Sequence, residues 1–439
     1  MTQVQTVDQT EVSREVSKKQ ANKALLASMV GSSIEWFDFF LYGSLASLVF
    51  NKLFFPSHDP VVGLLLSYLS FGLSFFIRPL GGIVFSHIGD KIGRKKTLIL
   101  TLSLMGGATF LIGLLPDYNA IGIWAPILLV VLRLCQGLGI GGEWGGSVLL
   151  AVEYAKKENR GFFGSIPQLG VPIGMLLGTL AISLTSALPE DQFLAWGWRL
   201  PFLLSAVLIF LGLWIRNGID ETPTFKEAKE SGNIARVPLV ATFRYHWKAV
   251  LLTVGAKFIE TGPYYIFATF VIAYSTQYLG YDTVTVLNAV AIANLVTVIM
   301  IPCMGKLSDK IGRKPLYIGG TVGMILFAFP YFYLLSLKSA VWLTIATIIA
   351  IGIIWAPIEA VMGTMFSEIF STNVRMTGIS VGNQIGAAVF GGTAPMIALA
   401  LLNAFNDSWI PIAIYIILAG VISLISLALM RETKDIELS

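Results

Sequence analysis

The chain has 439 residues, 55% of them hydrophobic and 13% charged, with a formal net charge of +4. An ordinary soluble domain carries roughly 25% charged residues, so this composition excludes one. The apolar runs are much too long for barrel strands; without water, the backbone can only be satisfied by helices of about 20 apolar residues.

Residues 1–21, with Arg14, Lys18 and Lys19, are polar and lack the short apolar core and cleavage site of a signal peptide, so a cytoplasmic tail is expected. Six apolar runs follow, near 24–50, 62–88, 97–115, 121–150, 161–185 and 199–216. The stretch 217–247, with Pro223, Pro238 and mixed charge, reads as a cytoplasmic linker. Six more runs lie near 249–275, 284–305, 315–336, 340–366, 376–402 and 409–430, and 431–439 form a second tail. The expectation is an all-α polytopic membrane protein of about twelve transmembrane helices, in two pseudo-symmetric six-helix bundles covering 22–216 and 248–430.

The halves repeat each other. Asp-Lys-Ile-Gly-Arg-Lys stands at Asp90–Lys95 and again at Asp309–Lys314, and Glu153 with Arg160 has the same spacing as Glu368 with Arg375. Two co-linear recurrences point to a duplicated unit. Lys and Arg gather in the N-terminal tail, at Lys91–Lys96, Lys156–Arg160, the central linker, Lys306–Lys314, Arg375 and the C-terminal tail; Lys52 and Lys338 fall on the other side. Because cytoplasmic loops hold the positive residues, both termini are expected on the cytoplasmic side of the cell membrane. The basic excess is thus topogenic, and nucleic acid is not an expected partner.

Ionised groups within spans are costly and usually face the bundle interior. Glu35 and Asp38 in span 1 share a helical face. Asp38 sits roughly 20 Å above the inner edge of its span and Arg133, in span 4, roughly 18 Å below its outer edge, where the two can meet. Two carboxyls in one low-dielectric pocket cannot easily both ionise, so Glu35, Asp38 and Arg133 are candidates for proton coupling, with Arg133 approaching and withdrawing to drive release. Arg78 in span 2 and Glu143 in span 4 lie nearer the cytoplasm and suit a buried intramembrane ion pair. In span 7, Lys257 and Glu260 again share a face, followed by Pro263, which breaks the helix beside Tyr264 and Tyr265. Lys257 could pair internally or bind a carboxylate. Arg133 is also a candidate cation for the solute, and with Lys257, Glu260, Tyr264, Tyr265, Gln136, Trp355 and Glu359 in span 10, and Asn383 and Gln384 in span 11, it makes up the candidate solute-binding set.

Asp90-x-x-Gly93-Arg94-Lys95 and its second copy, Gly305-x-x-x-Asp309-x-x-Gly312-Arg313-Lys314, resemble the signature loop of the major facilitator superfamily, with Ser86 where the first copy usually has Gly. Arg133-x-x-Gln136-Gly137-x-Gly139 and Asp220-Glu221-Thr222-Pro223 resemble two further signatures of it. Within the superfamily, Glu35-Trp36-Phe37-Asp38-Phe39, Arg78-Pro79-Leu80-Gly81-Gly82, Gly141-Gly142-Glu143-Trp144-Gly145-Gly146 and Trp196-Gly197-Trp198-Arg199-Leu200-Pro201-Phe202 are similar to the metabolite:proton symporters. The runs Trp214–Gly218 and Tyr274–Gln277 look most like the shikimate branch. The resemblance implies an importer that moves a small anionic or zwitterionic solute with protons by alternating access. It also implies a cytoplasmic latch in which Asp90, Arg94, Glu153 and Arg160 meet Asp309, Arg313, Glu368 and Arg375 across the bundle seam. Solute, protons and lipid are the expected partners; no cofactor beyond the proton gradient and no assembly beyond a monomer is expected.

Other classes have less behind them. Gly164, Gly170, Pro172, Gly174 and Gly178 faintly resemble an exporter motif, but in the wrong Gly–Pro order. A metabolite receptor without transport activity would need an output domain. Cys135 and Cys303 lie in apolar runs, and His58, His87 and His246 form no metal or hydrolytic constellation, so no enzyme and no metal are expected.

Overall fold

The structure is a computed structural model that describes residues 4–92, 94–153, 155–217, 242–244, 246–370 and 375–436. Side chains at 4–21, 24, 86, 87, 89–92, 94, 95, 150, 153, 216, 217 and 376 lie outside that description. Among the described residues every regular element is helical, with no strand. The first bundle comprises α1 (Val4–Leu45), α2 (Pro60–Ile92), α3 (Arg94–Leu114), α4 (Trp124–Leu149), α5 (Lys157–Ser186) and α6 (Arg199–Asn217). The second comprises α7 (Trp247–Tyr265), α8 (Thr283–Ile311), α9 (Arg313–Ser336), α10 (Ala340–Ile369), α11 (Thr377–Ala404) and α12 (Ile410–Leu429). Each corresponds to one apolar run of the sequence. Most of the expected linker, 217–247, falls outside the described residues.

Nine described helices are long and apolar enough to cross a membrane, and a tenth if Glu190–Gly197 and Arg199–Ile215, bent by 41°, form one span. The remaining two, α1 and α7, are diluted by the ionisable side chains they carry, Glu35 and Asp38 in one and Lys257 and Glu260 in the other. Both also widen into a π-helical turn further along, Ala46–Phe50 and Ile266–Phe270. In α7 the turn follows Pro263, which has no N–H to donate to the preceding turn.

Without a hydrophobic drive between helices in lipid, close backbone approach holds the bundles together. A Cβ on Gly137 would strike the Ser74 carbonyl and one on Gly141 the Arg78 carbonyl, so α4 packs directly on the α2 backbone. Across the seam, α5 packs on α8 and α2 on α11, pairs that the internal symmetry interchanges. Gly312, with φ +105°, makes the sharp junction between α8 and α9, a conformation that L side chains rarely adopt. That explains the glycine in the signature loop.

Candidate functional site

A cavity of about 20 Å³, room for a water molecule, lies between the bundles. Glu35, Trp36, Phe75, Arg78 and Trp144 line it from the first bundle; Lys257, Glu260, Tyr264, Tyr265, Glu359, Asn383 and Gln384 line it from the second. Asp38, Arg133, Gln136 and Trp355 do not. Arg78 is thus the first-bundle cation in the cavity, where the sequence pointed to Arg133.

The lining has an uneven distribution of unpaired polar atoms. Donors without a hydrogen-bond partner, Trp36 Nε1 and Arg78 Nε and Nη2, belong to the first bundle. Acceptors without one, Glu359 Oε2, Asn383 Oδ1 and Gln384 Oε1, belong to the second. All of these atoms are buried, and each such group costs about 1–3 kcal/mol unless something satisfies it.

Arg78 owes its position to its backbone. Because its carbonyl abuts Gly141 of α4, its side chain turns toward α1, with the guanidinium carbon 3.9 Å from the Phe75 ring centroid and 4.4 Å from that of Phe39. Glu35 is the acid beside it. The described contacts include no ion pair between Arg78 and Glu143; the Arg78 guanidinium lies instead against the Phe75 and Phe39 rings. Glu143 is itself buried and partnered elsewhere.

On the other wall Lys257 pairs with Glu260 one turn along α7, and its Nζ lies 3.5 Å from the Met362 sulfur. The Thr261 hydroxyl donates to the Glu260 carboxylate, and Trp355 Nε1 donates to the Glu260 carbonyl at 2.7 Å. The Trp355 ring lies 4.2 Å from that of Tyr264, whose hydroxyl donates to Asn294 Oδ1 at 2.9 Å. Trp355 thus braces the wall from behind. Glu359 adds a second acid within reach of Glu260 and Lys257.

Asp38 and Arg133 form a separate polar core inside the first bundle. Arg133 donates to Gln136 Oε1 at 2.7 Å and to Ser74 Oγ at 2.9 Å, and its guanidinium carbon lies 3.9 Å from the Tyr42 ring centroid. Gln136 Nε2 donates to Thr109 Oγ1, and Thr109 lies beside Asp38. The two charges therefore do not meet directly; they are joined through Gln136 and Thr109. The Thr109 hydroxyl already donates to the Met105 carbonyl at 3.1 Å, so its oxygen is left to accept a hydrogen bond from Asp38. Both Asp38 oxygens lack a donor, an arrangement that suits a carboxylic acid. Tyr42 could have been read from the sequence as the i+4 neighbour of Asp38; Thr109 and Ser74 had no such signal.

Below the cavity the bundles are tied together. Asp309 accepts the backbone N–H groups of Gly161 at 2.8 Å and Phe162 at 3.0 Å, so an acid of one bundle caps a helix of the other. Asp309 also pairs with Arg313 at 3.0 Å. Glu368 lies 3.4 Å from Arg313 and 3.9 Å from Arg160, and Arg375 donates to the Phe370 carbonyl. The side chains of Asp90, Arg94 and Glu153 lie outside the described residues. Just beyond α12, Glu432 accepts backbone N–H groups of Arg313, Lys314, Thr433 and Lys434, and the Thr433 hydroxyl donates to Glu368 at 2.6 Å. Partial burial pushes the Glu432 carboxyl up, but these four donors outweigh it and hold the group below the usual carboxylate range. On the opposite face, a vestibule of about 540 Å³ opens between the ends of α1 and α7, with Gln277 Nε2 3.3 Å from the Ser47 carbonyl. The bundles thus touch above and below the cavity.

Comparisons with known proteins agree with this architecture. The family model described as Major Facilitator Superfamily matches residues 28–395. The chain is 41% identical over 422 residues to the shikimate transporter of Escherichia coli (strain K12), spanning 95% of this chain and 96% of that one. It is 34% identical to the proline/betaine transporter of Salmonella typhimurium (strain LT2), spanning 94% and 84%. Among solved structures, the proton:xylose symporter XylE bound to 6-bromo-6-deoxy-D-glucose superposes with a TM-score of 0.77 at 15% identity, covering 96% of this chain and 98% of that one.

Proposed function

The chain belongs to the major facilitator superfamily of membrane transporters, and on that premise we propose that it imports a small hydroxylated carboxylate together with protons. It is a multi-pass membrane transporter and not an enzyme. The single observation behind the substrate class is the split lining of the cavity. Arg78 and Trp36 hold unpaired donors for a carboxylate, while Glu359, Asn383 and Gln384 hold unpaired acceptors for ring hydroxyls. Tyr264, Tyr265 and Trp144 supply flat apolar walls for the carbon skeleton. Shikimate, named for the relative of 41% identity, has this division of groups; proline and betaine, named for other relatives, lack the hydroxyls.

Charge balance favours proton symport. The cavity is lined by the cations Arg78 and Lys257 and by the acids Glu35, Glu260 and Glu359, so an added anion needs accompanying protons in a low-dielectric site. Asp38 is proposed to carry the coupled proton, since its surroundings suit the neutral acid, with Arg133 held nearby through Gln136 and Thr109. The two bundles would rock about the cavity, the Asp309–Gly161 contact holding the cytoplasmic side shut. The Lys and Arg distribution supports a cytoplasmic position for the signature loops and both termini.

The test is uptake of labelled shikimate by proteoliposomes under an acid-outside gradient. Accumulation that collapses with a protonophore is expected and should be competed by hydroxylated carboxylates more than by proline or betaine. Accumulation only under the reversed gradient would indicate an exporter, and uptake indifferent to the gradient would rule out symport.

A further inference from the structure

Asp38, the proposed proton carrier, does not line the cavity that Arg78 enters, the proposed solute site. Phe39, on α1 next to Asp38, lies between them. It is 1% exposed, with the Arg78 guanidinium carbon 4.4 Å and the Arg133 guanidinium carbon 5.1 Å from its centroid. Each cation also has a ring of its own, Phe75 for Arg78 and Tyr42 for Arg133, both at 3.9 Å. Phe71 and Phe75, with ring centroids 4.7 and 4.9 Å from that of Phe39, close the packing. Two buried cations thus share one aromatic ring, one facing the solute cavity and the other hydrogen-bonded toward Asp38.

Resting on the reading of Arg78 as the carboxylate site and Asp38 as the proton site, we propose that Phe39 is the positioning residue that couples them. Its ring keeps the space between the guanidinium groups dry, so the field of one reaches the other with little screening. A solute carboxylate on Arg78 cancels part of the positive potential at Arg133 and Asp38, which favours a proton on Asp38. A proton there favours the carboxylate by the same factor, because coupling between two binding sites is reciprocal. The other charged or titratable groups around the stack are Glu35 and Tyr42 on α1 and Tyr265 on α7, whose ring centroid lies 5.9 Å from that of Phe39. Tyr265 also reaches both guanidinium groups, through a hydrogen bond to Arg78 and a charge interaction with Arg133, but it is Phe39 whose ring lies over both. Removing the ring would admit water and screen the two sites from each other.

Binding of shikimate to the purified full-length protein, followed by quenching of tryptophan fluorescence at acid and alkaline pH, tests this. Wild-type affinity should fall about 10-fold from acid to alkaline conditions, within the usual range of coupling between sites. In Phe39→Ala shikimate should still bind, with that pH dependence reduced to within about 2-fold, whereas Phe39→Tyr should keep it. Phe39→Ala binding with the full wild-type pH dependence would overturn the proposal. If Phe39→Ala proves unstable, Phe39→Leu, which retains buried volume without a ring, carries the same two outcomes. Wild-type binding that ignores pH would instead remove the symport reading, a result distinct from failure of the Phe39 variants.

Discussion

Replacing Asp309 by alanine should release the seam below the cavity, on the side proposed to face the cytoplasm. The carboxylate caps Gly161 and Phe162 across the bundles at 2.8 and 3.0 Å and neutralises Arg313 at 3.0 Å. Losing a capping residue costs about 0.5–2 kcal/mol, and hydrogen bonds to a buried charge lie toward the upper end of about 1.5–3 kcal/mol. Arg313 retains Glu368, so its charge is not left alone. A net loss of about 2 kcal/mol shifts the equilibrium toward the cytoplasm-open state about 30-fold. Ser165 is buried at the same seam, where a Cβ on Gly305 would meet its hydroxyl. With Cys135 and Cys303 replaced, the labelling rate of Ser165→Cys by a membrane-impermeant maleimide in inside-out vesicles reports opening. The rate should rise by at least about 10-fold in Asp309→Ala and by less in Asp309→Asn, which can still accept one N–H. Equal labelling in all three proteins would refute a latch at Asp309.

Three other outcomes follow from the same geometry. Gly161→Ala places a Cβ against Ser308 Oγ and the Gly305 carbonyl, so the seam should fail to close; net uptake should fall while Ser165→Cys stays accessible, measured in the same vesicles. Arg78→Lys keeps the charge but loses the planar fork, and calorimetric titration should show shikimate binding weakened about 10- to 100-fold. Glu432, whose carboxyl is held below its ordinary value, adds stability that is complete above about 4.3, the unfolded glutamate value, and is lost as pH falls through the lower folded value. The melting temperature of Glu432→Gln should therefore lie below that of the wild type at neutral pH and converge on it below about pH 4.

The architecture was open to sequence reasoning because lipid leaves so few solutions. Long apolar runs and the doubled signature both report on the same helical architecture, and neither depends on a side-chain direction. The site was only partly legible for the opposite reason. Spacing put Arg133 and Asp38 at similar depth, but depth does not say which way a side chain turns. Gly141 sets the Arg78 carbonyl against α4 and so sends the Arg78 side chain to the cavity, while Gln136, Ser74 and Tyr42 retain Arg133 within its own bundle. Lys257 and Glu260 were correctly placed on one face, yet only the packing around α7 shows that they pair with each other and leave Glu359 as an additional acid. The role of Glu432 beside the α8–α9 junction had no signal, since it is brought there by the chain beyond α12.

The most direct test of proton–solute coupling at Asp38 compares two modes of transport in Asp38→Asn proteoliposomes. Solute exchange across equal pH needs only the cavity, and should persist. Accumulation under an acid-outside gradient needs a side chain that can gain and lose a proton, and should vanish. Asp38→Asn vesicles that concentrate shikimate as the wild type does would place the coupled proton elsewhere.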